Sequence, residues 1–66
     1  MLIYQNSNYH VEIDKRGVRV LSNQGNKFHN ITKDDKIDVV EYQDYVKVII
    51  NGHNFVEVNN YRKIRE

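Results

Sequence analysis

The sequence predicts an all-β fold: an antiparallel meander of five to seven short strands, as a curled sheet or a small SH3-like, partly open barrel. Three observations predict it. Sixteen of the 66 residues are Val or Ile, Leu occurs twice and Ala not at all. β-Branched strand formers therefore dominate and the best helix formers are scarce. From Lys36 to Asn59 apolar and other residues alternate with period two, which sends successive side chains to opposite faces. Short clusters of Asn, Asp and Gly interrupt the apolar runs, and Asn51-Gly52 is the dipeptide preferred in a primed hairpin turn, where both central residues need positive φ.

Taken in order, Leu2 to Gln5 reads as a short strand and Asn6-Ser7-Asn8 as a polar turn. Tyr9 to Asp14 alternates, with Tyr9, Val11 and Ile13 on one side and His10, Glu12 and Asp14 on the other. Asp14-Lys15-Arg16-Gly17 fits a type I turn, with Asp first and Gly last. Val18 to Ser22 returns as a strand, and direct pairing sets Glu12 opposite Arg19, a contact contributing about 0.2–1 kcal/mol at most. Asn23-Gln24-Gly25-Asn26 puts Gly at the third position, as a type II turn requires. Lys27 to Ile31 alternates poorly, so a further strand there is left open. Thr32-Lys33-Asp34-Asp35 has the spacing of a helix start, but no helical period follows, so at most one turn of helix is expected.

The next three strands are the clearest. Lys36-Ile-Asp-Val-Val-Glu-Tyr, Tyr45-Val-Lys-Val-Ile-Ile and Asn54-Phe-Val-Glu-Val-Asn are joined by Gln43-Asp44 and by Asn51-Gly52-His53, where a two-residue and a three-residue loop are both open and pair the flanking strands differently. Alternation puts Ile37, Val39, Val46, Val48, Ile50, Val56 and Val58 on the core side. The opposite side carries Asp38, Val40, Tyr42, Tyr45, Lys47, Ile49, Phe55 and Glu57. That side is mixed rather than polar, so its apolar members call for a cover. Asn59 to Glu66 is polar and basic, and three fates are open to it: a flexible tail, a last edge strand or one docked turn.

No repeat, linker or low-complexity block divides the chain, which reads as one small domain over residues 1–66. A domain of this size buries about 60% of its unfolded surface and is marginally stable. Without cysteine it has no disulfide and no thiolate metal site. Ten basic and nine acidic residues give a net charge of +1, which argues against an acidic nucleic-acid mimic and gives no general polyanion signal. No apolar run approaches membrane length, and no signal segment opens the chain. A cytoplasmic protein that does not engage membranes is the expectation. Nine Asn with no Ala or Pro suggests AT-rich coding, as in a low-GC bacterium, its phage or a mobile element.

Chemistry is sparsely marked. His10, His29 and His53 lie on separate segments without ligand spacing, so ordinary histidines are favoured over a metal site. No nucleophile stands in an elbow motif, and the acidic group of Asp34, Asp35 and Asp38 lacks the cleft that separates catalytic carboxylate pKa values. No enzyme and no cofactor are therefore expected. Two surfaces remain. Tyr42, Tyr45 and Phe55 are candidates for protein contact, since tyrosine brings large, fairly rigid area with a polar tip. A cross-strand Tyr42–Tyr45 pair that only stabilises the hairpin is the competing reading. Arg16, Arg19, Tyr61, Arg62, Lys63 and Arg65 are candidates for binding nucleic acid or a small anion, because small β-barrels stack bases on aromatics beside cations. The competing reading is solvated charge.

The expectation is a non-catalytic binding protein acting by protein–protein contact, on another protein, on itself as a homo-oligomer, or both. Its size and composition suit a phage or mobile-element inhibitor or modulator of a host protein. The alternatives are a small nucleic-acid-binding barrel and an oligomer that sequesters a small anionic ligand such as a nucleotide.

Overall fold

The computed structural model describes all residues from Met1 to Glu66 and contains no helix. Eight strands form: β1 (Leu2–Gln5), β2 (Tyr9–Ile13), β3 (Gly17–Ser22), β4 (Lys27–Asn30), β5 (Ile37–Glu41), β6 (Tyr45–Ile50), β7 (His53–Asn59) and β8 (Arg62–Arg65). They lie in two antiparallel sheets, ordered β4-β3-β2-β1-β8 and β5-β6-β7. The sheets do not close into a barrel. The curled antiparallel meander predicted from sequence is what forms, with one strand more than the expected maximum of seven.

The extra strand is the basic C-terminal segment. Arg62–Arg65 is neither tail nor helical turn but the edge strand β8, paired with β1 from Leu2↔Arg65 to Gln5↔Arg62. The chain ends are tied together as well: the Met1 ammonium donates to the Glu66 carbonyl oxygen at 2.7 Å, and the Glu66 N–H donates to the Met1 carbonyl at 2.9 Å.

The core lies between the sheets. Tyr4, Val11, Val18 and Val20 reach it from the first sheet, and Val46, Val48, Ile50, Val56 and Val58 from the second. The inward residues of β6 and β7 follow the alternation of the sequence. Valine suits this place because its branched side chain fills a pleated surface with little rotamer freedom to lose.

The turns obey local chemistry with one departure, at Gly25. Asn51 and Gly52 take φ of 53° and 84°, and Ile50 pairs with His53, so of the two loop lengths open from sequence the two-residue primed hairpin forms. Asp14 Oδ1 accepts from the N–H groups of Arg16 and Gly17, as an Asp opening a turn should. The third turn closes one residue earlier than expected, through a Gly25 N–H to Ser22 carbonyl bond, so Gly25 sits fourth rather than third. Thr32–Asp35 makes the reciprocal bonds of a helix start but stops as a turn, because no apolar helical face follows to bury.

One strand carries a register shift. Val48 pairs with Val56 and Ile49 with Asn54, which leaves Phe55 unpaired in a β-bulge. The bulge overturns the expected face of Phe55. It does not share the outer face with Val40 and Ile49 but turns against the core and toward β4.

Candidate functional site

Side chains bridge the two open seams between the sheets. At the β4–β7 seam, Lys27 Nζ donates to the Phe55 carbonyl and stands 4.4 Å from the Phe55 ring centroid. The His29 ring meets the same ring edge-on, with centroids 6.1 Å apart. At the β5–β8 seam, the Tyr4 hydroxyl donates to Glu41 at 2.6 Å and Lys63 Nζ lies 2.7 Å from the same carboxylate. Lys63 first, then the Tyr4 hydroxyl, hold the Glu41 carboxyl below its ordinary pKa. Burial first, then the bond to Glu41, push the Tyr4 phenol well above its ordinary value. Tyr61 packs edge-on to Tyr4 with centroids 5.5 Å apart, and its hydroxyl donates to the Tyr42 carbonyl.

These contacts disperse the basic candidates. Strand alternation in β8 sends Lys63 and Arg65 to the inner side, opposite Tyr4 and Leu2, and Arg62 to the outer side, opposite Gln5. Lys63 is engaged by Glu41 and Tyr61 by the seam. Arg19 lies on the outer face of the first sheet, 3.4 Å from Glu12 as the hairpin pairing predicts, and Glu12 also meets His10 at 2.9 Å. Arg16 stands in the β2–β3 turn. The segment that reads as one basic cluster in sequence is thus divided among two faces and a seam.

The tyrosines do come together. Tyr42 and Tyr45 flank the Gln43-Asp44 turn, closed by a Tyr42 N–H to Tyr45 carbonyl bond of 2.8 Å, and their rings stack with centroids 4.5 Å apart and planes 21° apart. Lys47 Nζ stands 5.8 Å from the Tyr45 ring centroid. The pairs Asp38↔Ile49 and Val40↔Lys47 place these residues on the same outer face. Val40, Tyr45 and Ile49 are half-buried there, and Tyr42 is 44% exposed. Phe28, 54% exposed, is a second outward aromatic, on the outer face of the first sheet opposite Arg19.

The sequence reading missed a third feature. Because the strands run up and down in order, the odd-numbered connections share one end of the molecule. That end gathers Asn6 and Asn8, then Asn23, Gln24 and Asn26, then Gln43, then Asn59 and Asn60. With Gln5 it holds all three glutamines and six of the nine asparagines, while Asp44 is the one charged residue in those connections. Asn6 Nδ2 donates to the Asn59 carbonyl at 2.7 Å, and the Asn60 N–H donates to the Asp44 carbonyl at 2.7 Å. Between the first and last of these connections lies an open cleft of about 500 Å³, lined by residues 5–9 with Asn59, Asn60 and Arg62.

No group of three or more His, Asp or Glu side chains converges as a metal site would require. No helix is long and apolar enough to cross a membrane. Comparison with protein-family models, with curated proteins and with solved structures finds no match.

Proposed function

We propose that this chain is a non-catalytic binding protein that acts by protein–protein contact through the outer face of β5-β6-β7. The observation that supports the reading is the stacked Tyr42–Tyr45 pair on a face with half-buried Val40 and Ile49 and no second layer over it. The stack carries two hydroxyls and leaves Tyr42 open to a partner. Aromatic anchors of that kind contribute most where they are desolvated on binding, with Lys47 and Glu57 supplying polar groups at the margin. The same face on a second copy would satisfy a homodimer, since a two-fold interface needs one self-complementary patch. The small size and the Asn-rich, Ala-free composition support assigning it to a phage or mobile element, as a cytoplasmic modulator of a host protein.

The test is a tagged pull-down from low-GC bacterial cells, washed with salt and treated with nuclease, alongside sedimentation of the pure protein. Tyr42→Ala and Tyr45→Ala are expected to leave a cooperative melt and to abolish the stoichiometric partner or the dimer. Loss of folding in both variants, with no separate binding defect, would reduce the stack to a hairpin-stabilising pair and overturn the reading. Nucleic-acid binding ranks second, because its candidate residues lie on separate faces and Lys63 is paired with Glu41. Material removed from the pull-down by nuclease would reverse that order.

A further inference from the structure

We infer that the amide-rich end of the molecule is a saccharide-binding site, selective for a sugar that carries a carboxylate. The inference rests on the placement of the amides rather than on their number. Coding bias raises the asparagine content of a whole chain, and turns favour asparagine at either end of a sheet. Neither effect explains why the odd connections hold a single charge while residues 14–16 and 31–36, at the other end, carry seven.

The chemistry of the cleft selects the ligand class. Each side-chain amide presents donors and an acceptor in one plane, which matches adjacent hydroxyls that each give and take a hydrogen bond. The cleft's walls are held by the fold. Asn6 Oδ1 accepts from the Asn8 and Tyr9 N–H groups, Asn6 Nδ2 reaches across to the Asn59 carbonyl, and Asn60 holds a positive φ of 51°. The side chains of Ser7, Asn8, Asn59 and Asn60 make no hydrogen bond within the chain, so their donors and acceptors are open to a ligand. Tyr9 is the one aromatic surface in the lining, against which a sugar ring can pack.

Arg62 sets the charge. It is the one charged residue of the cleft, no carboxylate lines it, and no acid pairs with the guanidinium. A carboxylate is the group that a guanidinium fork binds bidentately. A polyanion such as nucleic acid fits poorly, since the connections at this end hold no cation to neutralise successive phosphates. A uronic acid meets both requirements, with hydroxyls for the amides and one carboxylate for Arg62.

The experiment is a ¹H–¹⁵N titration of the full chain with trigalacturonic acid, with maltotriose as the neutral control and intact polygalacturonate as the polymer. Shifts confined to Gln5–Tyr9 and Asn59–Arg62, stronger for the acidic trimer, are expected. Arg62→Gln, with an otherwise unchanged spectrum, should weaken the acidic trimer at least about tenfold and leave maltotriose unaffected. Tighter binding of the polymer would assign the site to a polysaccharide, and equal binding to a free oligosaccharide. No shift at 10 mM of either trimer, shifts centred on Lys15–Arg16 or Arg19, or equal binding of both trimers that Arg62→Gln leaves unchanged would each overturn the inference. The titration reads the amide end and not the Tyr42–Tyr45 face, so this site and the protein-contact reading can fail separately.

Discussion

The two ends of the molecule are built from the same kind of tight connection and use it differently. At the charged end, the side chains of Asp14, Thr32, Asp35 and Asn51 are engaged in holding the fold. Asp35 accepts from Asn51 Nδ2, from the Thr32 N–H and hydroxyl, and lies 3.1 Å from His29 Nε2. Asn51 answers Lys36 through its own amide oxygen and backbone N–H, so residues 32–36 are fastened to the β6–β7 hairpin. Asp14 is engaged in its own turn. At the amide end the fold uses Asn6, Asn26 and Gln5 and leaves most of the other amides open. A polar group committed to the backbone is a structural part, whereas one left open on a held frame can bind. Substitutions should therefore register as stability at one end and as recognition at the other.

The largest expected effect is steric and lies at the charged end. A Cβ added at Gly17 would collide with the His29 carbonyl oxygen and come within 2.9 Å of the Phe28 ring. Backbone cannot yield there without breaking the β3–β4 pairing, so Gly17→Ala should destabilise by about 1–3 kcal/mol. That is on the order of 10 °C in the melting temperature of so small a domain. A melt by circular dichroism checks it, and an unchanged midpoint would mean that β4 is not held against β3.

Next comes the acid response of the Asp35 cluster. Asn51 first, then Thr32 and His29, hold its carboxyl well below the ordinary carboxylate range. The unfolded chain then takes up the proton at a higher pH than the folded one does. The stability from Asp35 is complete above about pH 5 and is lost as pH falls toward the folded value. Denaturant melts from pH 6 down to pH 2 should show the decline. Asp35→Asn should be less stable at pH 6 by several degrees and show a shallower decline. A decline of equal slope in the variant would assign the acid response to other carboxylates, Asp14 and Glu41 being the two also held low.

What sequence reveals and what it hides follows from the range of each signal. The β5-β6-β7 hairpins, their core face and the Asn51-Gly52 turn are legible because alternation and turn chemistry act within a few residues. Strict alternation assigns Phe55 to the outer face, and the bulge reverses that by adding one residue. The adjacent apolar pair Phe55-Val56, which breaks period two, was the available sign. β8 has no local signature, since its partner β1 lies at the other end of the chain. The amide end was hidden for a related reason. Which connections share an end depends on the parity of the strands before them, and a strand left open at β4 scrambles that assignment for every later connection. Of the candidate residues, the Tyr42–Tyr45 stack was legible because two residues separate its members. The basic cluster dissolved once β8 was alternated across two faces.

The smallest expected effect on stability falls at the amide end, and it tests the comparison most directly. Asn8→Ala and Asn59→Ala remove amides that bond to nothing in the chain, although Asn59 also supplies the backbone carbonyl that Asn6 uses. That carbonyl survives the substitution, so the Asn6 bridge should remain. Surface changes away from packed or bonded features fall within about 0.5 kcal/mol, and the double variant should melt within a few degrees of the parent. The charged-end counterpart, Asn51→Ala, loses its bonds to Asp35 and Lys36 and a residue at positive φ, so it should melt clearly lower. Measured side by side, the two experiments separate fastening from display. If Asn8→Ala with Asn59→Ala proved as damaging as Asn51→Ala, the amide end would be a second clasp of the fold rather than an open surface. If the double variant kept its stability and lost its response to trigalacturonic acid, the open amides would be identified as binding groups held on a frame that other residues maintain.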